Sequence, residues 1–308
     1  MASILRGIDN LDSADIVKDS TCESDIAPYN KGFKNYIING NFDIWQRGTS
    51  GFSGQNYGAD RWIGSGGVES YSRQNVDSLG GYYARISRTT ASSSSLLLVQ
   101  RIEQSNVKDL AGKIMTLSFY TRQTVGAVLP INLYIYTPTL SNIYTSVVLQ
   151  QTINALSNPT ATFQKVSVSF TVSSIMALNG FQIAIGNLSA GTASIDIAQV
   201  QLEEGSVATP FEQRPVGLEF SLCQRYFRGI EIVYSGNVTS GYTYDTLVFL
   251  SPTMRTSPTV TLITNRGLSG FTQPSIKLAE SDRVMISGVA GITGPAIYDS
   301  LYYLSAEL

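Results

Sequence analysis

The chain has no histidine among its 308 residues. That removes Ser-His-Asp and Cys-His catalysis and most catalytic zinc sites, all of which depend on imidazole. Cysteine is nearly as scarce. Cys22 and Cys223 are the only two, too few for a disulfide framework and wrongly spaced for a zinc site. They read as free thiols; the sharper alternative is that Cys22, in a polar segment, bonds another subunit. Charged residues make up 14% of the chain, below the usual proportion of about a quarter. No basic stretch interrupts the sequence, which argues against nucleic-acid binding. No run approaches the roughly 18 apolar residues of a membrane helix. Met1–Arg6 lacks the basic start and apolar core of a secretory signal. The expectation is therefore a soluble protein made in the cytoplasm, with no membrane insertion. The phosphate-cradling P-loop, a glycine fingerprint for nucleotides, internal repeats and heptads are also missing.

Uncharged polar residues take the place of charge: Ser, Thr, Gly, Asn and Gln are abundant, and there are 17 tyrosines. The net charge of −2 comes from 21 basic and 23 acidic residues. Residues 1–35 account for all of it, with Arg6, Lys18, Lys31 and Lys34 against Asp9, Asp12, Asp15, Asp19, Glu23 and Asp25. This segment has few aromatics and no periodic pattern, so it cannot bury enough surface to fold alone. Its scattered apolar residues, among them Ile4, Leu11, Ile16 and Tyr29, suit an extended arm ordered against a partner; the alternative is an ordinary floppy terminus.

From residue 36 to about 214 the pattern is β. Tyr36-Ile37-Ile38 reads as a short strand, Asn39-Gly40-Asn41 as a turn, and Ala59 to Trp62 as the opening of the next strand. Leu117–Thr121, Ile131–Tyr136, Val166–Val172, Phe181–Ile185 and Ile195–Leu202 alternate with period two, which implies one buried and one polar face per strand. About eight such strands between turn residues fit an antiparallel jelly-roll sandwich. Leu218, Leu222, Cys223, Tyr226 and Phe227 then recur at helical spacing, predicting a short helix over 215–228. Strand patterns return at Ile230–Tyr234, Thr259–Ile263, Asp282–Ser287 and Leu301–Leu304. The expected fold is all-β: an extended N-terminal arm (1–35), a jelly roll (36–214), and a C-terminal segment (215–308) of a short helix and a smaller β domain.

Paired carboxylates could still hydrolyse glycosides without histidine. Asp43, Asp60, Glu69, Glu103, Asp196, Glu203 and Glu204 are candidates, but no spacing sets two of them across a cleft. Glu203-Glu204 reads first as the polar end of a strand. No catalytic residue is assigned. Sugar binding needs aromatic faces beside planar polar groups. Tyr134 and Tyr136 lie opposite Leu133 and Ile135 on their strand, as Tyr120 and Arg122 lie opposite Leu117 and Phe119. Tyr120, Arg122, Asn132, Tyr134 and Tyr136 could thus line one face of the sandwich, either as a carbohydrate site or as a contact with a neighbouring domain or subunit. Trp45 and Trp62 read as core, and Arg47 and Arg61 as partners of local carboxylates or carbonyls.

Three sequence blocks resemble a known family in their order: NYIINGNFDIWQRGTSGFSGQNYGADRW (Asn35–Trp62), IDIAQVQLEEGSVATPFEQRPVGLEFSLCQRYF (Ile195–Phe227), and FLSPTMRTSPTV (Phe249–Val260) with the closing YYLSAEL (Tyr302–Leu308). The chain is similar over roughly 36–308 to tailed-bacteriophage fibre and virion structural proteins, which pair a carbohydrate-binding-module-like jelly roll with a C-terminal fibre domain. The resemblance implies a homotrimeric short fibre or spike in the virion. Residues 1–35 would attach it to other virion proteins, the jelly roll would contact host-surface polysaccharide, and the C-terminal domain would form the trimer or tip. The alternatives are a capsid, collar or neck decoration with an architectural role, or a glycan depolymerase. The resemblance also raises a structural calcium. Asp43 matches the acidic residue that follows the opening motif, but the expected aspartate of the last strand is replaced by Ala198, with Asp196 nearby at the same parity. One carboxylate is a poor site for a hard cation, so no metal or other cofactor is assigned.

Overall fold

Alternating apolar residues fold, in the computed structural model, into ten antiparallel strands arranged as two five-stranded sheets. The structure describes residues 33–75, 79–90, 94–126, 128–188 and 191–308. Asn35–Leu308 form one compact unit. Cys22, and the expected N-terminal arm except for its last three residues, lie outside the described residues.

The first sheet contains β1 (Trp62–Gly66), β4 (Leu96–Ile102), β9 (Phe181–Asn187), β6 (Ile131–Leu140) and β7 (Ile143–Leu156), in the order β1-β4-β9-β6-β7. The second contains β2 (Ser70–Asn75), β3 (Tyr82–Arg88), β10 (Ala193–Glu204), β5 (Ile114–Gly126) and β8 (Gln164–Thr171), in the order β2-β3-β10-β5-β8. This is the jelly-roll sandwich, with ten strands rather than eight. Trp62, Ile86, Leu98, Phe119, Leu133, Ile135, Ile183, Ile185, Ile195 and Ile197 meet between the sheets, all fully buried. Each such side chain contributes about 1.5–3 kcal/mol on burial.

Two expectations need correction. The central strand β9 is buried at every position, and β10 at all but two, so neither has a polar solvent face. Side chains from flanking strands cover their outer surfaces. Residues 36–38 are not a strand either. They run beside β10, where Tyr36 N donates to Leu202 O at 2.8 Å, but side chains take over most of the pairing. The Asn35 amide bridges Val200 O and Leu202 N at 3.2 and 3.0 Å, and the Gln100 amide bonds both backbone groups of Ile38 at 2.9 and 2.8 Å. The next turn is as expected: Asn39 adopts φ 57°, and its side chain binds Ile44 N and O.

Two short helices, α1 (Gln104–Val107) and α2 (Ser174–Asn179), connect strands of the sandwich. A third, α3 (Val216–Gln224), leads into the C-terminal sheets. It buries Glu219 and Cys223, one turn apart. The helix stops before Tyr226 and Phe227, and Phe227 instead opens β11. Beyond it, β11 (Phe227–Val238), β16 (Gly294–Ser305) and β13 (Thr259–Ser269) form one three-stranded sheet, while β12 (Thr243–Phe249), β15 (Arg283–Val289) and β14 (Ser275–Ala279) form another. Between them lies an aromatic core in which Tyr234 stacks on Tyr298 at 5.9 Å and Phe271 meets Tyr298 edge-on at 5.2 Å.

The jelly roll and the C-terminal sheets meet through buried charge. Arg61 has φ 72°, a left-handed conformation that costs a non-glycine residue about 1–3 kcal/mol. Its guanidinium pairs with Glu307, donates to Arg101 O at 2.7 Å, and lies 3.6 Å above the Tyr226 ring. Arg47 reaches the same carboxylate at 3.1 Å and sits 3.4 Å over Phe227. Glu103 binds Arg225 and Arg255 at 3.2 and 3.4 Å. Arg61 thus pairs with a carboxylate distant in sequence, not a local one. Trp45 and Trp62 are both core residues.

Asp60 lies beneath this junction, where burial pushes its carboxyl up to about 6 from 3.8, partly opposed by hydrogen bonds from Gln46. The folded state therefore holds the proton more tightly than the unfolded chain. The resulting stabilisation is present below the unfolded value and is lost as pH rises to the folded one. Measured against Asp60→Asn, wild-type stability is expected to fall between about pH 3.8 and 6 and to level off above; a flat difference in urea unfolding would contradict this. Glu307→Leu is expected to cost about 3–5 kcal/mol, because Arg61 is left buried without its anion. Adding Arg61→Met should recover part of that loss in the same assay.

Candidate functional site

The outer face of the β1-β4-β9-β6-β7 sheet is apolar where solvent-facing polarity was expected. Strand register places Ile63 opposite Val99, Val99 opposite Ala184, Ala184 opposite Tyr134, and Tyr134 opposite Thr152. The adjoining row runs Arg101, Gln182, Tyr136. Ile63, Leu97, Val99, Tyr134 and Ala184 form a small buried cluster on this outer face, with Tyr57 and Tyr136 packed against it.

Over this floor lies a cleft of about 440 Å³. Ile63, Leu97 and Val99 line its base. Tyr57, Tyr136 and Tyr144 supply rings, and Gln55, Ser65, Arg101 and Gln182 supply polar groups. No Asp or Glu side chain lines it. Tyr144 is fixed by donating to Ile102 O at 2.8 Å, and Arg101 sits 5.2 Å from the centre of its ring. Tyr57 comes from the Gly/Ser-rich loop before β1 and bridges to Ile63. Its hydroxyl donates to Leu308 O at 3.3 Å, an acceptor shared with Arg101. Burial, reinforced by Glu307, pushes the Tyr57 hydroxyl up to about 12. Burial likewise raises Tyr136 and Tyr144. All three remain neutral donors across the physiological range. An apolar floor edged by rings, neutral hydrogen-bonding groups and the Arg101 guanidinium can hold a flat, hydroxylated ligand.

The five residues singled out from the sequence do not share a face. Asn132, Tyr134 and Tyr136 lie on β6 in the first sheet, whereas Tyr120 and Arg122 lie on β5 in the second. Alternation tells which residues of one strand point outward together. It does not tell which of the two sheets that strand joins. Of the five, only Tyr136 lines the cleft. Tyr134 is 3% exposed and belongs to the floor beneath, where its hydroxyl accepts from the Asn132 amide at 2.9 Å. Tyr120 borders a separate pocket with Lys165, Gln199 and Phe211. Sequence reasoning missed Tyr57, Leu97, Val99, Arg101, Tyr144 and Gln182. One signal was available: the unbroken apolar run Leu96–Val99, which marks a strand covered on both faces.

On the opposite face, register lines up Arg85, Asp196 and Arg122. Asp196 is fully buried. It accepts from Arg85 Nε and Arg122 Nε, each at 2.7 Å, and Arg122 also donates to Tyr83 Oη at 2.9 Å. The carboxylate considered for calcium is thus held by two cations. Asp43 accepts from Asn41, and burial raises its pKa. Among the described residues no cluster of three His, Cys, Asp or Glu side chains could hold a metal ion. The remaining candidate carboxylates have structural partners: Glu69 accepts from Thr89 N and Oγ1, each at 2.6 Å, Glu203 from Thr209 N and Oγ1 at 2.8 and 2.7 Å, and Glu204 from Tyr36 at 2.7 Å and Lys113 at 3.2 Å.

No protein-family model matches the chain, and no curated protein matches it. Solved structures do. A tailspike protein 4 enzymatically active domain of bacteriophage CBA120 is 17% identical, with a TM-score of 0.37, over 56% of this chain and 21% of that one. A Bacteroides thetaiotaomicron protein assigned, without proof, as sugar-binding is 16% identical, with a TM-score of 0.41, over 56% of this chain and 100% of its own. A CBM4 carbohydrate-binding module is 23% identical, with a TM-score of 0.37, over 55% of this chain and 99% of its own.

Asp196→Asn is expected to cost about 2–3 kcal/mol, since it weakens charge-assisted bonds from two arginines. Because the triad lies on the far face, ligand capture in the cleft should be unaffected. Chemical unfolding checks the first expectation and a binding assay the second.

Proposed function

We propose that this protein is a non-catalytic, glycan-binding structural component of a tailed-phage virion. The observation that carries the binding role is the cleft on the β1-β4-β9-β6-β7 face. Its floor of Ile63, Leu97 and Val99 and its rings at Tyr57, Tyr136 and Tyr144 suit the CH faces of sugars. Gln55, Ser65, Arg101 and Gln182 suit their hydroxyls. The absence of carboxylates from its lining supports binding without cleavage, because glycoside hydrolysis needs a pair of them.

The three ordered sequence blocks support the virion role. On that reading the protein is a homotrimeric short fibre or spike. Residues 1–35 fix it to other virion proteins, 36–214 present the cleft to host-surface polysaccharide, and 215–308 form the trimer or tip. Several weak clefts on one particle would act together by avidity.

The intact protein should be retarded in native gels containing bacterial surface polysaccharide. Tyr136→Ala should weaken that retardation by about tenfold, or ~1.4 kcal/mol, while Tyr120→Ala should not change it. No reducing ends should appear on prolonged incubation. Failure to bind any host polysaccharide would favour the architectural role of a capsid, collar or neck decoration. Polysaccharide cleavage would restore the depolymerase reading.

A further inference from the structure

Beyond Tyr57 the surface falls into a second groove, of about 420 Å³. It runs between the jelly roll and the C-terminal sheets, with Arg47, Phe227, Ile263 and Tyr303 among its walls. Tyr57 lines this groove as well as the cleft, so the two are neighbours across one side chain.

The chemistry continues across that boundary. Tyr303, half-buried on β16, meets Phe227 edge-on at 5.0 Å. The Arg47 guanidinium lies 5.0 Å from the Tyr57 ring centre. Asn56 and Thr261 add an amide and a hydroxyl, and no carboxylate lines the groove. Rings beside neutral and cationic donors repeat the combination found in the cleft. Phe227, Thr261, Ile263, Tyr303 and Ser305 among its lining residues belong to the C-terminal sheets.

We propose that cleft and groove form one continuous path for a glycan chain long enough to cross Tyr57. The C-terminal sheets then contribute Tyr303 and Ile263 to recognition of an extended stretch of polysaccharide. This rests on the cleft being a glycan site, and it assigns a binding role to a surface outside the jelly roll.

The test takes the polysaccharide that most strongly retards the intact protein. It is partially hydrolysed, fractionated by size and titrated calorimetrically against the full chain, Tyr303→Ala and Ile263→Arg. Ile263 is 44% exposed, so Ile263→Arg obstructs the groove without entering the core. Affinity should rise by about tenfold once oligosaccharides outgrow the cleft. Both variants should abolish that rise and leave the shortest binding oligosaccharides unaffected. Affinity independent of length, or long chains bound equally by wild type and both variants, would overturn the continuous path while leaving the cleft standing. An intact protein that binds no polysaccharide would overturn both.

Discussion

The buried pair of Arg61 and Glu307 is the constraint on which the arrangement of the rest depends. The two residues are 246 positions apart and nearly inaccessible to solvent. Charges withdrawn from water repay their desolvation only when geometry and further hydrogen bonds are good. Here Arg61 also binds the Arg101 carbonyl and the Tyr226 ring, while Glu307 also binds Arg47. An apolar contact would tolerate sliding, but these directional bonds form in one register. It brings the last residues of the chain against the jelly roll, aligns the C-terminal sheets beside the cleft, and offsets the unfavourable backbone of Arg61.

The two outer faces of the sandwich use their residues differently. On one, the row Arg85–Asp196–Arg122 spends its charges on each other, and the bonds stitch three neighbouring strands together. On the other, the row Ile63–Val99–Ala184 carries no charge to satisfy, and tyrosines border it. The first arrangement gains stability from closed hydrogen bonding. The second leaves an apolar surface with donors at its margin, which is the condition for holding a ligand.

Much of the fold was legible in the sequence because period-two alternation is a local property. Val166–Val172 and Ile131–Tyr136 appear as β8 and β6 nearly as read, and Asn39-Gly40-Asn41 makes its turn. Tyr36–Ile38 misled because its apolar residues do pack, but the side chains of Asn35 and Gln100 supply the pairing a strand would take from its neighbour. The site was much less legible. Tyr136 was found, yet Tyr120 and Arg122 were grouped with it only because the sheet a strand joins is decided by long-range pairing. Asp196 looked like a possible metal ligand until register set arginines on both sides of it. Tyr57 gives no periodic signal at all, since it stands in a loop and owes its place to Ile63 and Leu308.

The position of Leu308 has a practical consequence. Its carbonyl accepts hydrogen bonds from Tyr57 and Arg101, two residues that wall the cleft. The backbone at Leu308 therefore sits at the rim of the candidate binding surface, and any segment joined to it leaves the fold there. A silent binding assay would then report on what is joined at Leu308 as much as on the cleft.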